Sequence, residues 1–289
     1  HITERGKHFM ELIRSVAEMA ALGKKWRAEN LQVGLVPTMG YLHEGHLALA
    51  QRSVGENDLT VLSIFVNPIQ FGPSEDLAVY PRDLDGDLAK AGSVGVNYAF
   101  VPEAEDMYPQ GFATAMNVAK VSETLCGASR KGHFEGVCVV LTKLFNLVQP
   151  ANAYFGQKDG QQLAVVRKLA KDLNMPVHIC GVPIVREADG LAKSSRNVYL
   201  DAECRQQALV LSQSLLLAKR LFEEGERDAG LIKAAVRAHI ETAPLAQIEY
   251  VEMVDAVTMQ PVRQPDSQVM LAVAVRFKGT RLIDNVLLG

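Results

Sequence analysis

Two histidines, His43 and His46, have the residue type and spacing that best suit chemistry in this sequence. They stand three positions apart at the predicted start of a helix, directly after a short strand, so both imidazoles can face the same way. Unpaired backbone N–H groups and the positive end of a helix dipole favour phosphate at such a place. Gly40 and Gly45 allow the backbone to approach a ligand closely. The pattern therefore predicts a phosphate site.

Two other interpretations of the histidine pair stay open. The imidazoles could be surface or capping groups, or they could be two ligands of a zinc ion. In zinc proteases the histidines are four positions apart, and a glutamate follows the first. Here the second histidine comes one residue too early, and no third ligand is evident in the sequence.

Two further segments carry groups that suit phosphate. Lys158-Asp159 precedes a predicted helix, where Lys158 offers a cation and Asp159 with Gln162 also fits a capping box. Ser194-Ser195-Arg196 offers two hydroxyl donors and a guanidinium fork. The alternative for Asp159 alone is that helix cap, and Ser194-Ser195-Arg196 taken alone would more often be an ordinary loop.

Three amides lie among apolar neighbours: Asn67, Gln70 and Gln162. Uncharged amides suit the recognition of hydroxyl and carboxylate groups. The alternative for each is the capping of a turn.

Strands and helices alternate through the first two thirds of the chain. Apolar runs predict strands at 31–36, where Pro37 is expected to end the strand, and at 59–66, 98–101, 153–155 and 177–182. Helical spacing predicts helices at 6–28, 46–56, 83–92, 136–148 and 159–174. This alternation is typical of a Rossmann-like α/β fold, with a parallel sheet and helices on both of its faces.

The candidate residues share one position relative to this sheet, because each group follows a strand. In open parallel sheets ligands bind beyond the carboxyl ends of the strands. We therefore expect the histidines, the amides and the basic segments to meet at one edge.

The last third of the chain has a different pattern. Helices are predicted at 202–224 and 228–242, followed by strands at 247–254, 268–276 and 281–288. This order predicts a smaller α+β unit. We expect two domains, at 1–184 and 185–289.

Composition excludes several classes of protein. The 289 residues carry a net charge of −3, without the excess of positive charge that a general nucleic-acid binder needs. Apolar runs fall short of the ~20 residues that span a membrane. The four cysteines form no C-x-x-C pair, and no signal-peptide pattern precedes the first predicted element, so we expect reduced thiols and a cytoplasmic location. Three common functional motifs, Walker A, G-x-G-x-x-G and G-x-S-x-G, do not occur in the sequence.

Taken together, the motifs resemble one family. His43-Glu44-Gly45-His46 is similar to the H-x-G-H signature of the nucleotidyltransferase superfamily. Six more segments, in the same order, resemble the pantoate–β-alanine ligase family: 36–40, 65–71, 80–82, 132–137, 155–159 and 189–197. The resemblance spans about residues 36–200, and the C-terminal part fits the family's small lid domain in length.

The resemblance implies an AMP-forming ligase of coenzyme A precursor biosynthesis. ATP and (R)-pantoate would give enzyme-bound pantoyl adenylate and pyrophosphate, and β-alanine would then displace AMP. ATP is thus a substrate, and Mg²⁺ is expected on its phosphates. A homodimer is also implied, with no nucleic-acid or membrane partner.

The resemblance also implies roles for particular residues. His43, His46, Lys158, Ser195 and Arg196 would be catalytic, with His46 as the proton donor. Pantoate would contact Gln70 and Gln162, and β-alanine would contact Gln70; a family-like contact is also implied for Asp87. ATP would be bound by Met39, Gly40, Tyr41, Leu42, His43, Glu44, Gly45, His46, Gly156, Gln157, Lys158, Asp159, Val185, Lys193, Ser194, Ser195 and Arg196. The metal ligands stay unassigned.

Three positions depart from the family pattern. Lys131 replaces a usual proline, Asn152 a usual aspartate, and Lys193 a usual leucine or methionine. Lys193 could strengthen phosphate binding or point to solvent.

Two other functions stay open: a cofactor nucleotidyltransferase that makes a dinucleotide, and a non-catalytic nucleotide- or metal-binding module. A tRNA synthetase is disfavoured, since the chain lacks room for an anticodon domain and lacks basic charge.

Overall fold

A computed structural model describes residues 10–73 and 75–289 of the chain. In chain order, the strands and helices are β1 (Glu11–Ile13), α1 (Val16–Ala28), β2 (Val33–Thr38), α2 (Glu44–Glu56), β3 (Leu59–Ile64), α3 (Leu84–Ser93), β4 (Tyr98–Phe100), α4 (Ala104–Met107), α5 (Leu125–Ser129), α6 (His133–Val148), β5 (Asn152–Gly156), α7 (Gly160–Asp172), β6 (His178–Val182), α8 (Ala202–Gln207), α9 (Val210–Glu223), α10 (Ala229–Ile240), β7 (Ala246–Asp255), β8 (Val269–Phe277) and β9 (Thr280–Leu288). Short 3₁₀ turns occupy Pro68–Gln70, Gln157–Asp159 and Ser195–Tyr199.

A six-stranded parallel sheet organises the first part of the chain. Its strand order is β1-β4-β3-β2-β5-β6, with helices flanking it. The two middle strands β2 and β3 are almost wholly apolar because both faces of the sheet are covered, and Leu35, Val36 and Leu62 are fully buried. The predicted α/β class is confirmed.

Strand β2 runs through Pro37, where the sequence pattern had predicted its end. The Thr38 carbonyl accepts a hydrogen bond from the Phe65 N–H at 3.0 Å, so the Thr38 peptide faces β3. Successive peptides of a strand alternate in direction, so the N–H that Pro37 lacks would point away from β3. The proline therefore costs no bond to that neighbour, and the strand continues.

The first predicted helix, 6–28, is wrong in its first half. Glu11–Ile13 form strand β1, which pairs in parallel with β4, and the helix begins only at Val16. Ser15 caps α1, because its hydroxyl accepts from the Glu18 N–H at 3.3 Å. Residues 6–9 of the prediction lie outside the described part of the chain.

The chain divides into two compact units. The first contains the described residues up to 117 together with Lys131–Phe155 and Val166–Val182. The second contains Val118–Arg130, Gly156–Val165 and Pro183–Gly289. Two short segments from the middle of the chain, Val118–Arg130 and Gly156–Val165, thus belong to the second unit. The predicted division into domains at 1–184 and 185–289 remains a proposal.

The second unit has an antiparallel sheet of order β7-β8-β9 packed against helices. Leu211 of α9, Ile232 and Val236 of α10 and Val273 and Phe277 of β8 form its buried core. The small antiparallel sheet in the C-terminal region is as predicted.

The single helix predicted over 202–224 is instead two helices, α8 and α9. The residues at the break, Ala208 and Leu209, include no proline or glycine, so the sequence carries no signal of it.

The described residues contain no helix long and apolar enough to cross a membrane. All four cysteines are buried, and none is joined to another.

Candidate active site

The histidine pair is built into the first turn of α2. His43 is the N-cap residue, and its Nδ1 accepts from the Gly45 N–H at 3.1 Å. His46 Nδ1 accepts from the His43 N–H at 3.3 Å, and the two ring centroids are 4.1 Å apart. The helix begins at Glu44, two residues earlier than the predicted start at 46. The two histidines therefore cap α2, which is one of the interpretations that the sequence left open.

This capping fixes which ring nitrogens can donate. A nitrogen that accepts a backbone N–H carries no proton, so a neutral imidazole must then carry its proton on Nε2. Both His43 and His46 thus have Nε2–H groups as donors, at the positive end of a helix dipole. Such an arrangement suits a phosphate oxygen, and capping and phosphate binding are compatible.

The loop between β2 and α2 is held by a buried carboxylate. Asp87 of α3 accepts the Tyr41 N–H through Oδ2 at 2.7 Å and the Leu42 N–H through Oδ1 at 2.6 Å. Lys90, one helical turn further on, donates to the Leu42 carbonyl at 2.9 Å. Burial raises the pKa of Asp87, although the two backbone N–H groups oppose that shift. Asp87 therefore positions the predicted nucleotide loop through its backbone.

Gly40 is required in this loop for two reasons. Its φ of 84° is in the left-handed region, which favours glycine. A Cβ at this position would lie 2.9 Å from both Asp87 Oδ2 and Ile64 Cγ2. Any side chain would thus displace the carboxylate that holds the loop.

Gln70 lies in the 3₁₀ turn after β3, where its side chain contacts Met39. Its Nε2 donates to Met39 Sδ at 3.3 Å, and its Oε1 accepts from Asn67 Nδ2 at 3.0 Å. The Gln70 main-chain carbonyl is 3.0 Å from His133 Nδ1. Gly136 allows the turn to pack on α6, because a Cβ there would lie 2.5 Å from the Ile69 carbonyl oxygen.

In the second unit, Lys158 stands in a turn that β9 holds in place. Asn285 Nδ2 donates to the main-chain carbonyls of Gln157 and Lys158, both at 2.9 Å, and its Oδ1 accepts from Gln157 Nε2 at 3.3 Å. The Lys158 ammonium is 3.8 Å from Asp159. The predicted segment Gly156–Asp159 is therefore a fixed turn rather than a loose loop.

The second unit also brings Val185 together with the Ser-Ser-Arg segment. The Lys193 N–H donates to the Val185 carbonyl at 2.9 Å, and Ser194 Oγ accepts from the Arg196 N–H at 3.3 Å. Ser194 thus caps the turn that carries Ser195 and Arg196.

An ion pair ties the start of this loop to β9. The Arg186 guanidinium binds both carboxylate oxygens of Asp284, at 2.6 and 2.9 Å. Asp284 is almost fully buried, so this bidentate pair fixes the backbone that leads to Lys193.

The two neighbouring glutamines at the start of α7 differ in their roles. Gln161 is buried and donates to the Val121 and Thr124 carbonyls, at 3.1 and 2.7 Å, while its Oε1 accepts the Cys126 N–H at 3.0 Å. Gln162, the residue that the resemblance assigns to pantoate, is only half-buried. Gln161 is thus a structural amide, whereas the surface of Gln162 is partly accessible.

The positions that depart from the family pattern have different surroundings. Lys131 is exposed and Lys193 is half-buried. Asn152 lies at the amino end of β5, where its Nδ2 donates to Asn57 Oδ1 at 2.8 Å.

Across residues 10–73 and 75–289, no three His, Cys, Asp or Glu side chains are grouped so that they could hold a metal ion.

Sequence reasoning missed three residues that hold the turn and the loop of the second unit: Arg186, Asp284 and Asn285. Asn285 binds a turn 127 to 128 residues away in the chain, and Asp284 binds an arginine 98 residues away. Because these partners are distant in sequence, no local sequence pattern indicates either contact.

A parallel sheet whose central strand leads into an H-x-G-H helix start defines an α/β protein and is similar to the arrangement of nucleotidyltransferases. A family model described as Pantoate-beta-alanine ligase matches residues 11–287. The chain belongs to the pantoate–β-alanine ligase family, and the predictions of that family and of a ligase are confirmed.

Curated relatives and solved structures agree with this assignment. Pantothenate synthetase of Heliobacterium modesticaldum is 53% identical, over 96% of this chain and 99% of its own, and that of Clostridium botulinum strain Loch Maree is 49% identical over 96% and 98%. The crystal structure of pantothenate synthetase from Thermus thermophilus has a TM-score of 0.90 at 45% identity, over 96% of this chain and 99% of that one. The Francisella tularensis pantoate-beta-alanine ligase, complexed with beta-gamma ATP and beta-alanine, has a TM-score of 0.79 at 28% identity, over 96% and 97%.

Proposed function

We propose that this chain joins (R)-pantoate to β-alanine in two steps at the expense of ATP. A pantoate carboxylate oxygen attacks the α-phosphorus of ATP, the bond to the β-phosphate oxygen breaks, and pyrophosphate leaves. The amine of β-alanine then attacks the acyl carbon of pantoyl adenylate and loses a proton, and AMP leaves with the C–O bonding pair. The product is pantothenate, a coenzyme A precursor.

The adenylate step is needed because a free carboxylate is a poor acyl donor. Its leaving group would be an oxide, whereas the mixed anhydride releases the stable AMP anion. For the first step, the protein has mainly to align the reactants and to neutralise charge on the phosphates.

The single observation that carries this proposal is the histidine pair. His43 and His46 each accept a backbone N–H through Nδ1 and therefore have Nε2–H donors at the start of α2. We assign these donors to the triphosphate, with the loop 39–42 along the nucleotide. The neutral Nε2–H groups suit stabilisation of the departing pyrophosphate by hydrogen bonds. To act as the proton donor, His46 must be an imidazolium, which carries a proton on both ring nitrogens. Its Nδ1 then cannot accept the His43 N–H, so that contact must first be lost.

We assign further phosphate contacts to residues of the second unit. Lys158 and Arg196 supply positive charge, Ser194 and Ser195 supply hydroxyl donors, and Lys193 adds a further cation. The turn that Asn285 holds and the loop that Asp284 holds support these roles. Gly156, Gln157, Asp159 and Val185 are assigned to the rest of the nucleotide.

Gln70 and Gln162 are assigned to pantoate, and Gln70 also to β-alanine. The Gln70 side chain offers an N–H donor, as its contact with Met39 indicates, and a donor suits a carboxylate or hydroxyl oxygen. Of the two neighbouring glutamines, Gln162 is chosen because its side chain is only half-buried, whereas Gln161 is buried and binds the segment 118–130.

We expect Mg²⁺ to bind mainly through the phosphates of ATP, since Mg²⁺ usually takes few ligands from protein carboxylates. When bound to the phosphates it would neutralise part of their charge. We also propose a cytoplasmic homodimer, on the basis of the family resemblance.

The proposal is tested by incubating the purified protein with ATP, Mg²⁺, pantoate and β-alanine and measuring AMP and pantothenate. We expect equal amounts of both, with neither formed when pantoate is omitted. A dinucleotide product without an amide would instead indicate a cofactor nucleotidyltransferase. ATP binding without turnover would indicate a passive nucleotide-binding module.

A further inference from the structure

A chain of hydrogen bonds leads from Tyr108 to the amide of Gln70. The Tyr108 hydroxyl is 2.7 Å from Asn67 Oδ1, and Asn67 Nδ2 is 3.0 Å from Gln70 Oε1. Asn67 Nδ2 also lies 3.1 Å from the main-chain carbonyl oxygen of Gly136. Both amides are buried, with 1% of the surface of Asn67 and 9% of that of Gln70 accessible to water.

The Gly136 carbonyl identifies the direction of every bond in this chain. A carbonyl oxygen can only accept, so the Asn67 atom that faces it must be the NH₂ group. The other Asn67 atom is then the oxygen, and it must accept from Tyr108. The same NH₂ group donates to Gln70, so the Gln70 atom that it meets must be Oε1.

The consequence for Gln70 is that its remaining amide group, Nε2, is oriented as a donor. That donor now contacts Met39 Sδ at 3.3 Å. A thioether sulfur is a weak acceptor, so a carboxylate or hydroxyl oxygen of a substrate is a better partner for this N–H. An inverted Gln70 amide would offer an oxygen instead and would repel a carboxylate, which can only accept.

The ring of Tyr108 is held so that its hydroxyl reaches Asn67. Its centroid is 6.1 Å from that of Phe65 and 5.2 Å from that of Phe112. The Lys143 ammonium lies 6.0 Å from the Tyr108 centroid and 5.3 Å from the Phe112 centroid. Burial raises the pKa of the Tyr108 hydroxyl, so it keeps its proton at neutral pH and remains a donor.

We propose that Tyr108 is a positioning residue for acid recognition, which acts through Asn67 to fix the Gln70 amide with its N–H toward the substrate. This inference rests on the proposed function, in which Gln70 contacts pantoate. Tyr108 itself touches no substrate in this account.

The test is the variant Tyr108→Phe, which keeps the ring and its packing and removes only the hydroxyl. The loss leaves Asn67 Oδ1 buried without its donor, so Asn67 is anchored less firmly and holds the Gln70 amide less precisely. We expect the KM for pantoate to rise about tenfold, which corresponds to about 1.4 kcal/mol, with kcat and the KM for ATP little changed. Tyr98→Phe is the matched control, because its ring packs on Trp26 with centroids 4.8 Å apart. Tyr98 lies at the amino end of β4, whereas Asn67 follows the carboxyl end of the neighbouring parallel strand β3.

A double-mutant cycle separates positioning from a general structural role. If Tyr108 acts through Gln70, removing its hydroxyl from a Gln70→Ala protein should leave kcat/KM for pantoate unchanged. An equal loss in both backgrounds would overturn the proposal. So would an unchanged pantoate KM in Tyr108→Phe, or a parallel rise in the KM for ATP together with a lowered Tm.

Failure of the proposed function has a different signature. In that case the unaltered protein would form no pantothenate. Failure of this inference alone would leave the unaltered protein active, with Tyr108→Phe showing the same KM for pantoate.

Discussion

Replacing Asp87 by asparagine is expected to weaken ATP binding without unfolding the protein. The aspartate accepts two backbone N–H groups of the nucleotide loop, at 2.6 and 2.7 Å. Asparagine has the same shape but only one acceptor oxygen, so its NH₂ group must face one of these N–H donors. The loop therefore loses at least one hydrogen bond to a charged group.

The size of the effect follows from that lost bond. A hydrogen bond to a charged group contributes about 1.5–3 kcal/mol, and each 1.4 kcal/mol is a factor of ten in an equilibrium constant. If the loop must regain its shape to bind ATP, the KM for ATP should rise about tenfold to a hundredfold. The KM for β-alanine should change little.

The assay is pantoate-dependent adenylate formation at varied ATP, with the melting temperature measured alongside. Asp85→Asn is the matched control, because Asp85 is exposed in the first turn of the same helix and loses the same charge. If Asp87→Asn is folded and its KM for ATP lies within about twofold of the unaltered value, the carboxylate does not position the loop and the reasoning is refuted.

The pH dependence gives an independent check. Burial raises the pKa of Asp87 above its ordinary value of 3.8. The folded chain thus holds this proton more tightly than the unfolded chain. The free energy of unfolding therefore falls as pH rises from 3.8 to the folded-state pKa of Asp87.

ATP binding depends on the same group in a different way. As pH falls through the folded-state pKa, protonation of Asp87 removes an acceptor from the nucleotide loop. The KM for ATP should therefore rise toward acid pH in the unaltered protein, and Asp87→Asn should lack that rise.

Three further substitutions test other parts of the site. His46→Ala should slow adenylate formation about a hundredfold or more, the range for charge-stabilising and acid–base groups; normal adenylate formation in a single-turnover assay would contradict its role. Gln162→Ala should raise the KM for pantoate more than the KM for ATP, and equal changes in steady-state kinetics would argue against a pantoate contact. Asn285→Ala removes two bonds of 2.9 Å that hold the Lys158 turn, so adenylate formation should slow about tenfold; an unchanged rate would show that the turn holds its shape unaided.

The sheet and the histidine pair could be predicted because their signals are local. Strands β2 and β3 are continuous apolar runs, and His43 to His46 follow β2 directly. The C-terminal strands were predicted to within about two residues, because turn residues separate clear apolar runs.

Strand β1 could not be predicted for a physical reason. It has three residues, and it is a strand because β4 offers it a distant partner, as in the pair Glu11–Tyr98. Its apolar residues continue the helical spacing of α1, so the local pattern favoured one long helix. Tertiary pairing overrode that pattern.

The contacts of Asp87 and Tyr108 could not be predicted from local sequence patterns. Asp87 reaches a loop 45 to 46 residues earlier in the chain, and Tyr108 reaches an amide 41 residues earlier. An aspartate in a first helical turn and a tyrosine before a proline have ordinary local explanations. Only the folded chain shows which backbone groups and amides they contact.

The most direct test of the central claim is exchange of labelled pyrophosphate into ATP, with pantoate present and β-alanine left out. The account predicts exchange that depends on pantoate, because the first step forms pantoyl adenylate reversibly before any amine binds. It also predicts that His46→Ala abolishes most of this exchange. If ATP binds but no pantoate-dependent exchange occurs, the proposed adenylate mechanism is contradicted.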